Sequence, residues 1–313
     1  MDALRILSPG PYTSVQDLGR YGAASLGVPI SGVVDDYAGK IANWLVGNGA
    51  GDAVLEMTLV GACLEFLAPA DIAVTGAAMQ PTLNGRPCRQ WTSIRVQGGD
   101  ILTLGAADNG CRAYLAITGG FEVPIILGSR ATYLGGHLGG LAGRRLAAGD
   151  VLQRGDTPLQ GRNRTLPWFP LYPDTILLRA ISGPHDDHFR KNLGQFFSTT
   201  FTVTAQSDRM GVRLAGPGIK RDESAGASIL SEPIIPGNVQ VPADGQPIIL
   251  LKEQTIGGYT VIATVVSFDI WRIGQAKPGD SVRFVEVSLE KSHELYRQWS
   301  GFLTEIKNLL AGQ

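Results

Sequence analysis

Short apolar runs punctuated by glycine and proline dominate the chain. Ile72 to Thr75, Ser93 to Val96, Ile101 to Leu104, Arg112 to Ile117, Thr175 to Leu178 and Ile248 to Leu251 are each a few residues long. A further run, Val261 to Phe268, is rich in β-branched side chains. This pattern predicts many short strands joined by tight turns. Helical spacing is confined to few places. Asp35 can cap a helix through Val46, with Ala38, Ile41, Ala42 and Leu45 on one face and Gly47 as the stop. Leu295, Trp299, Phe302, Ile306 and Leu309 recur at three- and four-residue steps and predict a C-terminal amphipathic helix. A short helix is expected over Asp186 to Leu193, ending near Gly194. The predicted class is mainly β.

The 313 residues include 41 Gly and 18 Pro, and that length suits two domains better than one. Pro158, Pro167, Pro170 and Pro173 crowd one segment that resists both helix interiors and central strands. The expected division is therefore a β domain over 1–157, a linker over 158–174, a second β domain over 175–287 and the helix over 288–313. Gly149-Asp150 leading into Val151-Leu152 is echoed by Gly279-Asp280 before Ser281-Val282, which modestly supports related halves. A net charge of −1 lacks the basic excess that binds nucleic acid. No apolar run approaches the roughly 20 residues of a membrane span, and the first residues lack a signal-peptide pattern, so a cytoplasmic location is expected. Cys63, Cys88 and Cys111 are read as buried reduced thiols.

The common phosphate-loop, dinucleotide and zinc-protease signatures are missing from the sequence. His185-Asp186-Asp187-His188 could hold a metal, but the acids suit the first turn of a helix better, and no metal is expected. Ser14 to Gly22 sets Gln16, Asp17 and Arg20 between glycines, and that trio can read an amide and a carboxylate. A loop held by an Asp–Arg pair is an equally open reading. Ser207, Asp208 and Arg209 repeat the vocabulary. Gln254-Thr255 followed by Gly257-Gly258-Tyr259 offers a backbone that a ligand can approach closely, or a plain hairpin turn. Gly119-Gly120 reads similarly, and the glycines from 135 to 140 could order around an anion with Arg144 or Arg145.

Taken in order, these strings resemble the biotin-dependent carboxyltransferase-like proteins. That family includes allophanate hydrolase subunit two, the C subunit of 5-oxoprolinase, KipA and the matching region of urea carboxylase. The resemblance is carried by Ser14 to Gly22, Gly27 to Gly32 with Asp35, Arg112 to Gly120, Leu127 to Thr132 and Gly143 to Asp150. It continues through Gly183-Pro184, Ser207 to Leu214, Ile229 to Glu232, Pro236-Gly237, Gln240 to Pro242, Asp244 to Pro247 and Thr255 to Tyr259. It implies two packed cyclophilin-like β-barrel halves and a smaller subunit-one or KipI-type partner. In the 5-oxoprolinase version the pair uses ATP with magnesium to activate the lactam, and a LamB/YcsF-type protein completes ring opening. In the urea-carboxylase version the region transfers a carboxyl group from biotin, which here would arrive on another chain. KipA-like members suggest a third role, sequestering a kinase inhibitor. A homodimer of heterodimers is one assembly the resemblance allows.

The expected catalytic set is Gln16, Asp17 and Arg20 facing Ser207, Asp208 and Arg209 across a groove between the halves. Ser31, Gly119, Gly120, Arg144, Gln240, Thr255, Gly257, Gly258 and Tyr259 are the expected substrate contacts. Arg20, Arg144 and Arg209 are the candidate phosphate ligands. The chain departs from the family at Lys252-Glu253, where an Asp-Arg pair is common; a salt bridge could persist with swapped partners, but a direct ligand contact from that pair would not survive unchanged.

Overall fold

Strands such as Cys63–Phe66 and Val151–Arg154 alternate accessible and buried positions. A strand patterned in this way has one face to bury, and sheets form by pooling such faces over a core. The computed structural model describes residues 1–222 and 229–313. Within it the chain divides into two units. One comprises residues 1–22, 31–172 and 303–313, the other residues 23–30 and 173–302.

The first unit holds two sheets. A seven-stranded sheet runs in the order Phe121–Glu122, Val151–Arg154, Asp2–Ser8, Cys63–Phe66, Ile101–Thr103, Thr82–Leu83, Arg86–Pro87. A five-stranded sheet runs Thr13–Gln16, Val54–Thr58, Asn109–Ile117, Ala70–Ala78, Ser93–Val96. Leu4, Ile6, Leu64 and Phe66 of the larger sheet share one core with Val15, Leu55, Met57 and Leu115 of the smaller. Asn109–Ile117 is buried along nearly its whole length because the helix Asp36–Leu45 covers its other side. That helix starts where expected, with Asp35 Oδ1 accepting a 2.8 Å bond from the Ala38 N–H. It ends just before Gly47, whose φ of 79° suits glycine.

A polar cluster lies under the helix start. Glu56 and Tyr114 are register partners on neighbouring strands, and both are fully buried. Tyr114 Oη donates to Glu56 Oε2 at 2.9 Å and accepts from the Asp35 N–H at 2.9 Å. The Val34 N–H donates to the same carboxylate oxygen at 2.9 Å. Burial, with Glu56 and Asp35 beside it, pushes the Tyr114 phenol well above its ordinary pKa, so it stays a neutral donor. Tyr172 Oη reaches Asp35 Oδ2 at 3.1 Å and belongs to the same cluster.

The proline-rich segment, expected as a linker over 158–174, is bound to the first unit as far as Tyr172. Its prolines cannot donate to a ladder, but its carbonyls accept: Ser93 N–H bonds Arg164 O at 2.8 Å. Trp91 stacks on Phe169 with centroids 6.0 Å apart, and Asn109 Oδ1 accepts from Tyr172 N–H at 3.0 Å. Asp71 fastens the start of the segment through the Gln160 and Gly161 N–H groups at 3.0 and 3.2 Å. Its cross-strand partner Arg95 donates at 2.5 Å. Burial alone would raise the Asp71 carboxyl, but Arg95 and the backbone donors overcome this and hold it below its ordinary value. A depressed native pKa stabilises above the unfolded pKa, and that stability is lost as pH falls through the native one. Asp71→Asn should therefore cost about 1 kcal/mol at neutral pH, given the partly solvated Arg95, and should flatten the acid limb. Urea unfolding of both forms at pH 7 and pH 3 checks this; equal losses at both pH values would contradict it.

The second unit is a closed barrel. In order around it stand Thr175–Ser182, Thr260–Val265, Asn238–Val241, Ile248–Leu250, Gly211–Ala215, Thr200–Val203 and Ser281–Glu286. Neighbours are antiparallel except where Ser281–Glu286 meets Thr175–Ser182 in parallel and closes the ring. The strand expected over Val261 to Phe268 stops at Val265. Asp269, fully buried, accepts from Arg179 Nε at 2.8 Å, and the chain turns there into short helices over Ser267–Asp269 and Ile270–Ile273. The helix expected over 186–193 is instead two, a 3₁₀ turn Asp186–Phe189 and a helix Leu193–Ser198 that contains Gly194. Phe196 draws the second of these onto Phe284, with centroids 4.4 Å apart.

The C-terminal helix runs from Leu289 to Gly312, and Trp299 stacks on Trp271 at 5.9 Å. All three thiols are free, as expected, but only Cys111 is buried; Cys63, at the first position of its strand, and Cys88, just past the edge strand Arg86–Pro87, are half-buried. Among the described residues no helix is long and apolar enough to cross a membrane.

Candidate functional site

Strand register builds a cleft on the second unit. Gly211–Ala215 pairs with Ile248–Leu250, which pairs with Asn238–Val241. Arg213 therefore stands opposite Ile248, and Ile248 opposite Gln240. Side chains alternate across a strand, so Val212, Ile249 and Val239 turn to the other face, where all three are buried. Over Gly211, Arg213, Ile248, Leu250 and Gln240 opens a cleft of about 420 Å³.

Two loops wall it. On one side Asp208 Oδ1 accepts from the Met210 and Gly211 N–H groups at 2.7 and 3.2 Å, a side-chain turn that sets the loop. Ser207 Oγ accepts from Arg213 N–H at 3.0 Å and steadies the strand start. On the other side a strap from Gln254 to Tyr259 crosses the cleft, and its Ile256–Gly257 pairs with Glu232–Pro233. Gln240 is 3% exposed because the strap lies on it, and a Cβ on Gly257 would overlap Gln240 Nε2. The close approach that glycine permits here is what keeps the carboxamide at the cleft. Tyr259 stands at the mouth, about half exposed.

A buried ion pair joins the walls. Arg209 Nε meets Glu253 Oε1 at 2.6 Å, with both side chains less than a tenth exposed. The inverted Lys252-Glu253 order thus keeps a bridge through Glu253 to Arg209. Of the expected residues, Asp208, Gln240, Gly257, Gly258 and Tyr259 line this one cleft. Ser207 and Arg209 brace its wall, and the Thr255 carbonyl accepts from Ile234 N–H at 3.1 Å. Arg213 and Gln206 line the cleft without having been singled out from sequence, and Gln254, named there only as the start of the glycine motif, joins them. The motif Ser207 to Leu214 contained Arg213; strand alternation two residues beyond a glycine was the signal that could have found it.

The first-unit residues do different work. Gln16 Nε2 donates to Ser14 Oγ and Thr132 O at 2.9 and 3.2 Å, and Gln16 Oε1 accepts from Gly32 N–H at 3.0 Å. Asp17 accepts from Gly19 N–H, Ser129 Oγ and Arg130 N–H at 2.8, 2.7 and 2.6 Å. Arg20, 1% exposed, donates to the carbonyls of Ile126 and Ala131 at 2.9 and 2.8 Å. The trio pins the 126–132 loop against the 16–20 loop through bonds to backbone groups and to the Ser14 and Ser129 hydroxyls, while Arg20 Nη1 is buried with no hydrogen-bond partner among the described residues. Ser31 is buried with a φ of 55°. Gly119 and Gly120 form a tight turn at φ of 84° and 68°. Arg144 forks onto Asp150 with two bonds of 2.7 Å.

Among the described residues the cleft's charged lining is one guanidinium, Arg213, and one carboxylate, Asp208. A magnesium-bound triphosphate calls for several converging cations or N–H donors and spare carboxylates, so this donor set does not fit it. It suits a small ligand bearing an amide. Among the described residues no group of three or more His, Cys, Asp or Glu could hold a metal ion. His185 Nδ1 accepts from Val261 N–H at 3.2 Å, and Asp186 and Asp187 occupy the first turn of their short helix.

Comparison with known proteins agrees with the fold. Residues 26–286 match the carboxyltransferase domain, subdomains A and B. The chain is 38% identical to the C subunit of 5-oxoprolinase from Escherichia coli K12 over 293 residues, covering 92% of this chain and 93% of that one. It is 37% identical to the urea amidolyase of Lachancea kluyveri over 316 residues, but spans only 17% of that protein's length. The crystal structure of the K. lactis urea amidolyase superposes with a TM-score of 0.91 at 34% identity, over 97% of this chain and 20% of that one. Matched over most of its length by the family and by these relatives, the chain belongs to the carboxyltransferase domain A and B family.

Proposed function

We propose that the chain is the C-type component of a multi-subunit 5-oxoprolinase, with the barrel cleft as its amide site. The observation that carries this reading is the match to the C subunit of a 5-oxoprolinase across 93% of that protein, where the urea amidolyase match covers 17%. The cleft's chemistry supports it. Gln240 Nε2 gives one N–H to the Tyr259 carbonyl at 3.4 Å, which leaves its second N–H and its oxygen side by side, the pattern that pairs with an amide. Gly257 and Gly258 let the strap backbone close on a ligand. Opening a lactam builds negative charge on the carbonyl oxygen, which fixed donors such as Gln240 Nε2 would stabilise. Glu253 and Arg209 hold the two walls at a set separation, which is the preorganisation such donors need.

Partners in this reading are a smaller subunit-one type protein and a LamB/YcsF-type protein. ATP with magnesium belongs to the assembled complex in this reading. The test is to combine the chain with both partner types and measure 5-oxoproline-dependent ATP hydrolysis and glutamate release. Glutamate formation that requires this chain is expected; no turnover in the full set would reject the role.

The structural likeness to urea amidolyase favours a second reading, carboxyl transfer to urea from biotin on another chain. Urea-dependent turnover of carboxylated biotin carrier, with 5-oxoproline inert, would select it.

A further inference from the structure

We propose that Arg213 fixes the substrate class of the cleft as an amide that also carries a carboxylate. This rests on the reading of the cleft as an amide site and names what else its ligand must bear. Arg213, Ile248 and Gln240 stand in register on three successive strands and line the same cleft. Strands lie about 4.8 Å apart, so the Arg213 and Gln240 backbones are about 10 Å apart, with Ile248 between them. Two polar side chains reaching inward over an apolar middle leave room for an amino-acid-sized molecule. One end of it meets a carboxamide, its hydrocarbon lies over Ile248, and its other end meets a guanidinium.

The charge pattern says what that other end is. Arg213 is exposed, and among the described residues its guanidinium has no ion-pair partner. The arginine on the loop just before this strand, Arg209, is paired with Glu253. The cleft's carboxylate, Asp208, is turned onto the Met210 and Gly211 N–H groups. A planar guanidinium presents a fork that matches a carboxylate with two parallel bonds. A neutral amide such as urea would leave that fork empty, whereas a lactam carrying a carboxylate uses both ends of the row.

Calorimetric titration of the full chain with 5-oxoproline, with 2-pyrrolidinone (the same lactam lacking the carboxylate) and with urea tests this. The wild type should bind 5-oxoproline about 30-fold more tightly than 2-pyrrolidinone, the scale of a charge-assisted pair. Arg213→Met, which keeps the stem and removes the charge, should lose that preference by weakening 5-oxoproline alone. Arg213→Lys should recover it in part, since the charge returns without the fork. Thermal melting of both variants should match the wild type, as the side chain is exposed. A preference that survives in Arg213→Met would overturn the proposal. Equal binding of both lactams by the wild type would overturn it while leaving the amide site standing. Binding of neither lactam would remove the amide site and the proposal together.

Discussion

Glu56→Ala should lower the stability of the first unit by about 3 kcal/mol, read as a fall in the urea midpoint with an unchanged m-value. The carboxylate is fully buried and accepts from Tyr114 Oη and the Val34 N–H, with Arg112 Nε 3.9 Å away. Truncation leaves the hydroxyl and the N–H without that acceptor and removes a negative charge close to a buried guanidinium. Each loss is costly where water cannot substitute. The damage should spread to the helix start, because Tyr114 also accepts from the Asp35 N–H and Asp35 caps Asp36–Leu45. Glu56→Gln preserves shape and one acceptor and should cost about half as much. A midpoint change equivalent to less than about 1 kcal/mol for the alanine variant would show that the cluster is not a determinant of stability.

Gly257→Ala should reduce kcat/KM of the assembled complex about 100-fold while shifting the melting temperature little. The added methyl would overlap Gln240 Nε2, so the carboxamide cannot stay where the strap now holds it. Either it leaves the amide position or the strap lifts, and displacement of about 1 Å at a reacting group costs on this scale. Gly258→Ala, also at the cleft, should lose less, because its Cβ would lie 3.2 Å from Ser231 Oγ, a contact a hydroxyl rotor can relax. Near-wild-type turnover in Gly257→Ala would remove the strap and Gln240 from the site.

Elements with a local cause were readable from sequence. Asp35 announces its helix because a capping carboxylate acts on a backbone group three residues away. Ser93–Val96 is a strand as expected, since its turn signals lie on both sides. Elements set by distant partners were not. Nothing near Phe268 announces that Asp269 will be drawn onto Arg179, 90 residues earlier. The excursion of residues 23–30 into the second unit likewise leaves no local mark.

The site divides in the same way. Gly257 to Tyr259 were legible because paired glycines beside a phenol have a narrow set of uses. Gln16, Asp17 and Arg20 have the chemistry of a ligand contact, but a guanidinium binds a backbone carbonyl by the same hydrogen bonds as a substrate oxygen. Only placement separates the two, and here the carbonyls of Ile126 and Ala131 take that place. Arg213 was hidden by the opposite problem: an arginine between buried Val212 and Leu214 looks like the solvent side of any strand. Its role depends on which strands stand beside it.

The parallel seam between Thr175–Ser182 and Ser281–Glu286 has a consequence for synthesis. The two members are about a hundred residues apart, so a nascent chain emerging from the ribosome holds six barrel strands with two raw edges until the last is delivered. Pairings this far apart in sequence form slowly, and bare edges invite association with other chains. The interval before Ser281 emerges is therefore when the barrel's backbone edges are most open to pairing with other chains.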